Sequence, residues 1–200
     1  ENAETLHLLG ITLQRMGQLT NAIEMLKKAA KFAAHNGAIF ANLCEMQRMN
    51  GDLASAVSTG KTAVKIAPNY AISHCNLGMA LLDMENYDGS LAALQRAIEI
   101  NPNFATAHNN IGTALRKKLD FAGAEKSYRT ALQHDPDEAN AHNNLISLLL
   151  ETDQSQLAID LAKQRLTKTP NDAELYRSIG RGYLQLENLD DAERSFRAAL

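Results

Sequence analysis

Residues 105–138 read ATAHNNIGTALRKKLDFAGAEKSYRTALQHDPDE, and the fold follows from this stretch and its echoes. Ala107, Ile111, Ala114 and Leu115 recur at the spacing of one helix face, which predicts a helix from Ala105 to about Lys118. A break is expected at Leu119-Asp120, where the Asp120 carboxylate can accept from the free N–H groups of a following first turn. The second helix is expected over about 122–134, with Ala124, Tyr128, Ala131 and Leu132 on one face. Pro136 stops it, because proline has no N–H and clashes with the preceding turn. The unit is helix, turn, helix, stop.

The same unit returns every 34 residues without insertion or deletion. One column reads Gly10, Cys44, Gly78, Gly112, Ile146, Gly180; a second reads Ala22, Ala56, Ser90, Ala124, Ala158, Ala192; a third reads Pro68, Pro102, Pro136, Pro170. Such a period marks a stacked array sharing one continuous core, so the 200 residues form a single unit of six repeats. The repeats are 3–36, 37–70, 71–104, 105–138, 139–172 and a truncated 173–200. Asp52, Asn86, Asp120 and Asn188 stand as caps of the second helices, with Gln18 and Gln154 as poorer ones. Asn69, Asn103, Asp137 and Asn171, each after a proline, are expected to start the next first helix. The glycine and alanine columns mark a close helix crossing, where a larger side chain would push the axes apart. In the fifth repeat Ile146 replaces glycine, Leu157 stands where its counterparts are small or polar, and Arg165 replaces the alanine of Ala131. A local change of packing, with a slight bend, is expected there.

These residues resemble the tetratricopeptide (TPR) family, whose signature is W-x2-L-G-x2-Y, A-x3-F and P over one repeat. Leu77-Gly78, Leu81, Ser90, Leu94 and Pro102 follow it in one repeat. Ile111-Gly112, Leu115, Ala124, Tyr128 and Pro136 follow it in the next, and Ile179-Gly180, Tyr183, Ala192 and Phe196 in the last. The tryptophan place instead holds Leu6, Phe40, His74, His108, His142 and Tyr176. The resemblance implies an all-α, right-handed superhelical solenoid of six stacked helix-turn-helix units, the last truncated. It also implies that the first helices line a concave face where extended peptides bind. Asn42, Asn76, Asn110 and Asn144 form an unbroken column there, extended by Asn109 and Asn143. This column is similar to the asparagine ladder in the repeats of O-linked N-acetylglucosamine transferases, whose amides grip a peptide backbone. An amide offers both a donor and an acceptor, so it can match a peptide N–H and C=O together. The same asparagines can instead tie neighbouring repeats together, and both roles stand open. Chaperone-adaptor TPR domains clamp acidic tails with a lysine–asparagine pair at the fifth and ninth places. Those places read His7/Ile11, Ala41/Glu45, Cys75/Met79, Asn109/Thr113, Asn143/Ser147 and Arg177/Arg181, which excludes that clamp.

Composition narrows the function further. A net charge of −3 offers no basic stripe for a phosphate backbone, which argues against nucleic acid. The apolar run from Leu145 to Leu150, broken by Ser147, is far short of the ~20 residues that span a bilayer. Cys44 and Cys75 fall at different places in their repeats and read as packing residues, with cytoplasmic residence as the default. No H-E-x-x-H, G-x-x-x-x-G-K-[ST], C-x-x-C or G-x-G-x-x-G pattern is present, and Gly180-Arg181-Gly182 is only a fragment of the last. His74, His108 and His142 recur one repeat apart, on the order of 10 Å, too far to share one metal ion. Neither enzyme activity, metal nor cofactor is expected. Lys27, Lys28 and Lys31 form an ordinary charged outer face.

The expected function is therefore a protein-interaction scaffold that receives an extended peptide of a partner. Its groove would combine the asparagine column with an apolar stretch at Ile72, Cys75, Met79 and Leu82. Arg116, Lys117, Arg177 and Arg181 would receive acidic groups. The alternative is a substrate-recruiting arm of a larger enzyme, such as a glycosyltransferase related to O-linked N-acetylglucosamine transferase. The apolar face at Phe196 and Leu200 suggests that the natural chain continues, or that copies pack end to end.

Overall fold

The computed structural model describes residues 2–200, which form twelve α-helices and no strand among the described residues. The first helices of the repeats are α1 (Ala3–Arg15), α3 (Gly37–Met49), α5 (Ala71–Asp83), α7 (Ala105–Lys117), α9 (Ala139–Glu151) and α11 (Ala173–Gln185). The second helices are α2 (Leu19–Phe32), α4 (Leu53–Ile66), α6 (Tyr87–Ile100), α8 (Phe121–His134), α10 (Ser155–Leu166) and α12 (Leu189–Ala198). Each first helix touches its own second helix, the second helix of the preceding repeat, and the neighbouring first helices. Second helices do not touch one another among the described residues. The first helices thus form the closely spaced inner layer, and the array curves towards them as an all-α repeat superhelix.

Local chemistry explains each break. Every first helix turns over into a left-handed residue at Gly17, Gly51, Glu85, Leu119, Asp153 or Glu187. In the third repeat Asn86 N–H then bonds Leu81 C=O and Glu85 N–H bonds Leu82 C=O, at 2.9 Å each, which satisfies the orphan carbonyls of the helix end. The next helix is capped at once: Asp52, Asn86, Asp120 and Asn188 accept from Ser55, Gly89, Gly123 and Asp191 N–H, while Gln18 and Gln154 make no such bond. The starts of the first helices differ from expectation by one residue. Their caps are Tyr70, Phe104, Glu138 and Asp172, and Tyr70 and Phe104 contribute no side-chain bond. The polar residues beside the prolines build the turn instead: Asn101 and Asp135 accept from the N–H of Asn103 and Asp137 at 3.3 and 3.0 Å.

The small-residue columns work as matched pairs. A Cβ added to Gly10 would lie 2.9 Å from Leu26, one on Gly78 2.6 Å from Leu94, one on Gly112 2.6 Å from Tyr128, and one on Gly180 2.6 Å from Phe196. The glycine lies against the backbone of the alanine column, with carbonyls of Ala22, Ser90 and Ala124 at 3.4, 3.3 and 3.1 Å from the added Cβ, and meets still more closely the bulky residue one helical turn beyond it. Where the first helix carries more, the second carries less: Cys44 meets Gly60, whose added Cβ would stand 3.0 Å from its Sγ. Ile146 likewise shares its buried cluster with Ala162. The fifth repeat is thus repacked by exchange of volume between its helices. Its changes are local: α10 has 12 residues where α2, α4, α6 and α8 have 14. Leu157 faces outward, and Arg165 bonds Asp137 at 3.1 Å.

One imperfection in the alanine column yields a prediction. Ser90 is fully buried and its hydroxyl has no hydrogen-bond partner. Ser90→Ala should raise stability by about 1 kcal/mol, since it removes an unsatisfied polar group and improves helix propensity. A urea midpoint that fails to rise would sink this account.

Candidate functional site: the inner helical layer

The inner layer is stitched by bonds that reach back 35 residues, one repeat and one step. Asn76 Nδ2 donates to the Ala41 carbonyl at 2.9 Å, Asn110 Nδ2 to the Cys75 sulfur at 3.5 Å, and Asn144 Nδ2 to Asn109 Oδ1 at 2.8 Å. Asn42 Nδ2 lies 2.7 Å from His7 Nε2, and burial lowers the His7 pKa, which favours the neutral acceptor form. The asparagine column therefore holds adjacent first helices in register. Its amides differ in what remains open. Asn42, Asn76 and Asn144 are part-buried, their Oδ1 atoms accept no bond among the described residues, and none is sealed from solvent. Asn110 is buried and its Oδ1 accepts from Asn109 at 3.3 Å, while Asn143 is exposed. Asn42 and Asn76 each spend one of two N–H donors on the preceding repeat and keep the other beside the open acceptor, whereas Asn144 uses both, on Asn109 and on Thr113 at 3.5 Å.

A second stitch runs along the turn edge of the same layer. Arg48 pairs with Asp83 at 2.8 Å, and Arg116 with Glu151 at 2.6 Å, again 35 residues apart. The rung between them is Leu82 to Lys117, where an apolar side chain offers the ammonium no pair. Arg177 pairs with Glu174 of its own helix, whereas Arg181 is exposed and without a partner among the described residues. Two of the four cations expected to receive acidic groups are thus already neutralised by neighbours.

The apolar stretch is smaller than its sequence suggests. Cys75 and Leu82 are buried, Cys75 packing with Leu94, Ala97 and Ala107. Ile72 stays exposed and Met79 part-exposed. Burial pushes the Cys44 and Cys75 thiols up to about 12 and about 11, so both stay protonated and unreactive near neutrality. The recurrent histidines have a structural task that sequence reasoning missed: Nε2 of His74, His108 and His142 lies 2.9 Å from the carbonyl of Pro68, Pro102 and Pro136, pinning each inter-repeat turn. Among the described residues no group of three or more His, Cys, Asp or Glu is placed to hold a metal ion. No helix among them is long and apolar enough to cross a membrane.

A curved stack of helical hairpins with a continuous inner layer defines a helical-repeat interaction scaffold. Three models described as tetratricopeptide repeat match residues 3–36, 71–104 and 110–173, and the chain belongs to that family. A search of curated proteins finds no match. Among solved structures, the thermophilic TPR protein TTC0263 of Thermus thermophilus is similar over 91% of this chain and 99% of its own, with TM-score 0.81 and 22% identity. The Cut9-Hcn1 hetero-tetramer of the APC/C contains a chain that covers all of this one with 40% of its length, at TM-score 0.86 and 20% identity. YrrB, described as a TPR protein with an unusual peptide-binding site, covers 87% of this chain and 90% of its own at TM-score 0.65 and 16% identity. At these identities the likeness concerns the fold.

Proposed function

We propose that this chain is a non-catalytic scaffold that holds an extended peptide segment of a protein partner along its inner helical layer. The observation that carries the reading is the row of solvent-reachable Oδ1 acceptors on Asn42, Asn76 and Asn144. Adjacent repeats lie on the order of 10 Å apart, and an extended chain advances about 3.3 Å per residue. Asn42 and Asn76 then meet peptide N–H groups roughly three residues apart, and Asn144, two repeats further on, meets another after about six more, without regard to side chains. Asn143 adds an exposed amide, Ile72 and Met79 an apolar contact, and Arg181 an unpaired cation. Asn109, Asn110, Cys75 and Leu82 support that surface from beneath, and Arg116 and Arg177 supply charge already shared with Glu151 and Glu174.

Preorganisation favours this mode, because a rigid array leaves mainly the peptide to be ordered. YrrB is described as having a peptide-binding site on a similar fold, which is consistent with the reading. The asparagine column is also what suggests a likeness to O-linked N-acetylglucosamine transferase repeats. On that reading the same groove recruits substrates for a catalytic domain, and the full reading frame decides between the two.

A photo-cross-linking side chain placed at Ile72, and separately at Arg96 on the outer layer, tests the proposal in cell extract. Adducts formed from Ile72 and not from Arg96 are expected. Adducts from Arg96 alone, or equally from both, would move the binding surface away from the groove.

A further inference from the structure

The broken rung of the ion-pair stitch sits beside a second anomaly. Leu119 has φ 64°, in the left-handed region, although leucine has a Cβ that makes this conformation costly. It is also 74% exposed, so no burial compensates the strain. The first two repeats place Gly17 and Gly51 at this point of the turn, where glycine adopts the conformation freely. Glu85, Asp153 and Glu187 adopt the same conformation with polar side chains, so this turn is set apart by holding a large exposed apolar residue there.

Two cavities meet at the same place. One, of about 360 Å³, is lined by Thr113, Arg116, Lys117, Leu119 and Glu151. The other, of about 320 Å³, is lined by Leu82, Asp83, Glu85, Tyr87, Thr113 and Lys117. Thr113 and Lys117 form the wall between them. In the first cavity Arg116 already neutralises Glu151 at 2.6 Å, which leaves the Lys117 ammonium as its net charge. In the second, Asp83 is held by Arg48 at 2.8 Å, but the Glu85 side chain is exposed with no partner among the described residues. Lys117 lines both cavities; in the second it is offset by Glu85, and in the first it is unbalanced, so an anion is drawn to the first.

We infer that the edge of the inner layer between the fourth and fifth repeats is a side-chain-reading site for a peptide bearing an acidic residue next to an apolar one. The carboxylate seats against Lys117, with Arg116 behind it, and the apolar side chain covers Leu119. Lys117 is free to act because its rung partner is Leu82, where the rungs on either side hold an arginine. This inference rests on the groove reading and deepens it: the asparagine acceptors hold backbone regardless of sequence, and this site selects the sequence.

The test is a selection of random dodecapeptides displayed on phage against the intact chain, followed by titration of the enriched peptide, fluorescently labelled. The expected consensus carries Asp or Glu beside an aliphatic or aromatic residue. Lys117→Glu should weaken that peptide by roughly tenfold or more, Lys117→Met less, and the wild-type affinity should fall as salt rises. Leu119→Gly supplies the discriminating result, because it should raise the melting temperature by relieving the left-handed strain and yet weaken binding. A structural role alone would not move the two in opposite directions. Circular dichroism confirms that each variant is folded before titration. A consensus without an acid, or one insensitive to Lys117 and Leu119 yet lost on Asn76→Ala/Asn144→Ala, overturns this site and leaves the groove reading standing. Enrichment insensitive to all four positions, or no enrichment, overturns both.

Discussion

Gly112→Ile is expected to destabilise the array by about 3 kcal/mol, and combining it with Tyr128→Ala is expected to cost clearly less than the two separate losses added together. A methyl at position 112 alone would stand 2.6 Å from Tyr128 Cε1 and 3.1 Å from the Ala124 carbonyl. Tyr128 cannot swing aside, because it is fully buried among Leu145, Leu149 and their neighbours. Replacing a mid-helix glycine gains about 0.5 kcal/mol of helix propensity, which is too little to offset the overlap. Tyr128→Ala alone should cost about 3–5 kcal/mol, as expected for removing a large buried aromatic. The double variant reproduces the pair that the fifth repeat already uses, Ile146 with Ala162. Its stability should exceed the sum of the single effects by at least about 2 kcal/mol. Guanidinium melts followed at the helix band measure all three. Additive losses would show that the two columns are independent, and the matched-volume account would fall.

That pairing also shows where legibility ended. The helix breaks and the capping by Asp52, Asn86, Asp120 and Asn188 were readable, because each depends on residues within a few positions along the chain. Gly112 and Tyr128 face each other across a hairpin, and a column read at the repeat period does not reveal which column it faces. The first-helix caps were misplaced because proline fixes its own φ and hands the turn to the residue before it, as at Asn101 and Asp135. The candidate site was legible as a column of amides but not in its orientation. Whether Asn76 points its N–H2 at a ligand or at Ala41 depends on the stagger between first helices, a quantity set by packing. Lys117 was legible as a cation for acidic groups, but Leu119 gave no signal, since an exposed leucine is common and the left-handed turn becomes visible only in three dimensions.

The triple variant Asn76→Ala/Asn110→Ala/Asn144→Ala should lower stability by about 3 kcal/mol, whatever its effect on binding. The three losses are unequal. Removing Asn144 deprives the buried Asn109 Oδ1 of its 2.8 Å donor and leaves that oxygen unsatisfied. Removing Asn76 costs less, because the Ala41 carbonyl keeps its place in the ladder of α3 and loses only an added bond at 2.9 Å. Asn110 loses a weak 3.5 Å contact to Cys75 and an amide contact to Asn109. The bonds to Ala41, Cys75 and Asn109 Oδ1 each join one repeat to the one before, so they contribute to interfaces and not to the hairpins themselves. In a quasi-one-dimensional array, stability is a sum of hairpin and interface contributions, and weakening interfaces decouples the units. The melt of the triple variant should therefore broaden as well as shift, with the order Asn144, Asn76, Asn110 in the single variants. A shift under about 1 kcal/mol would mean that the column does not hold the register. Binding lost by Asn76→Ala at a temperature where the fold is intact is then attributable to the open Oδ1, because that variant disturbs the array only modestly.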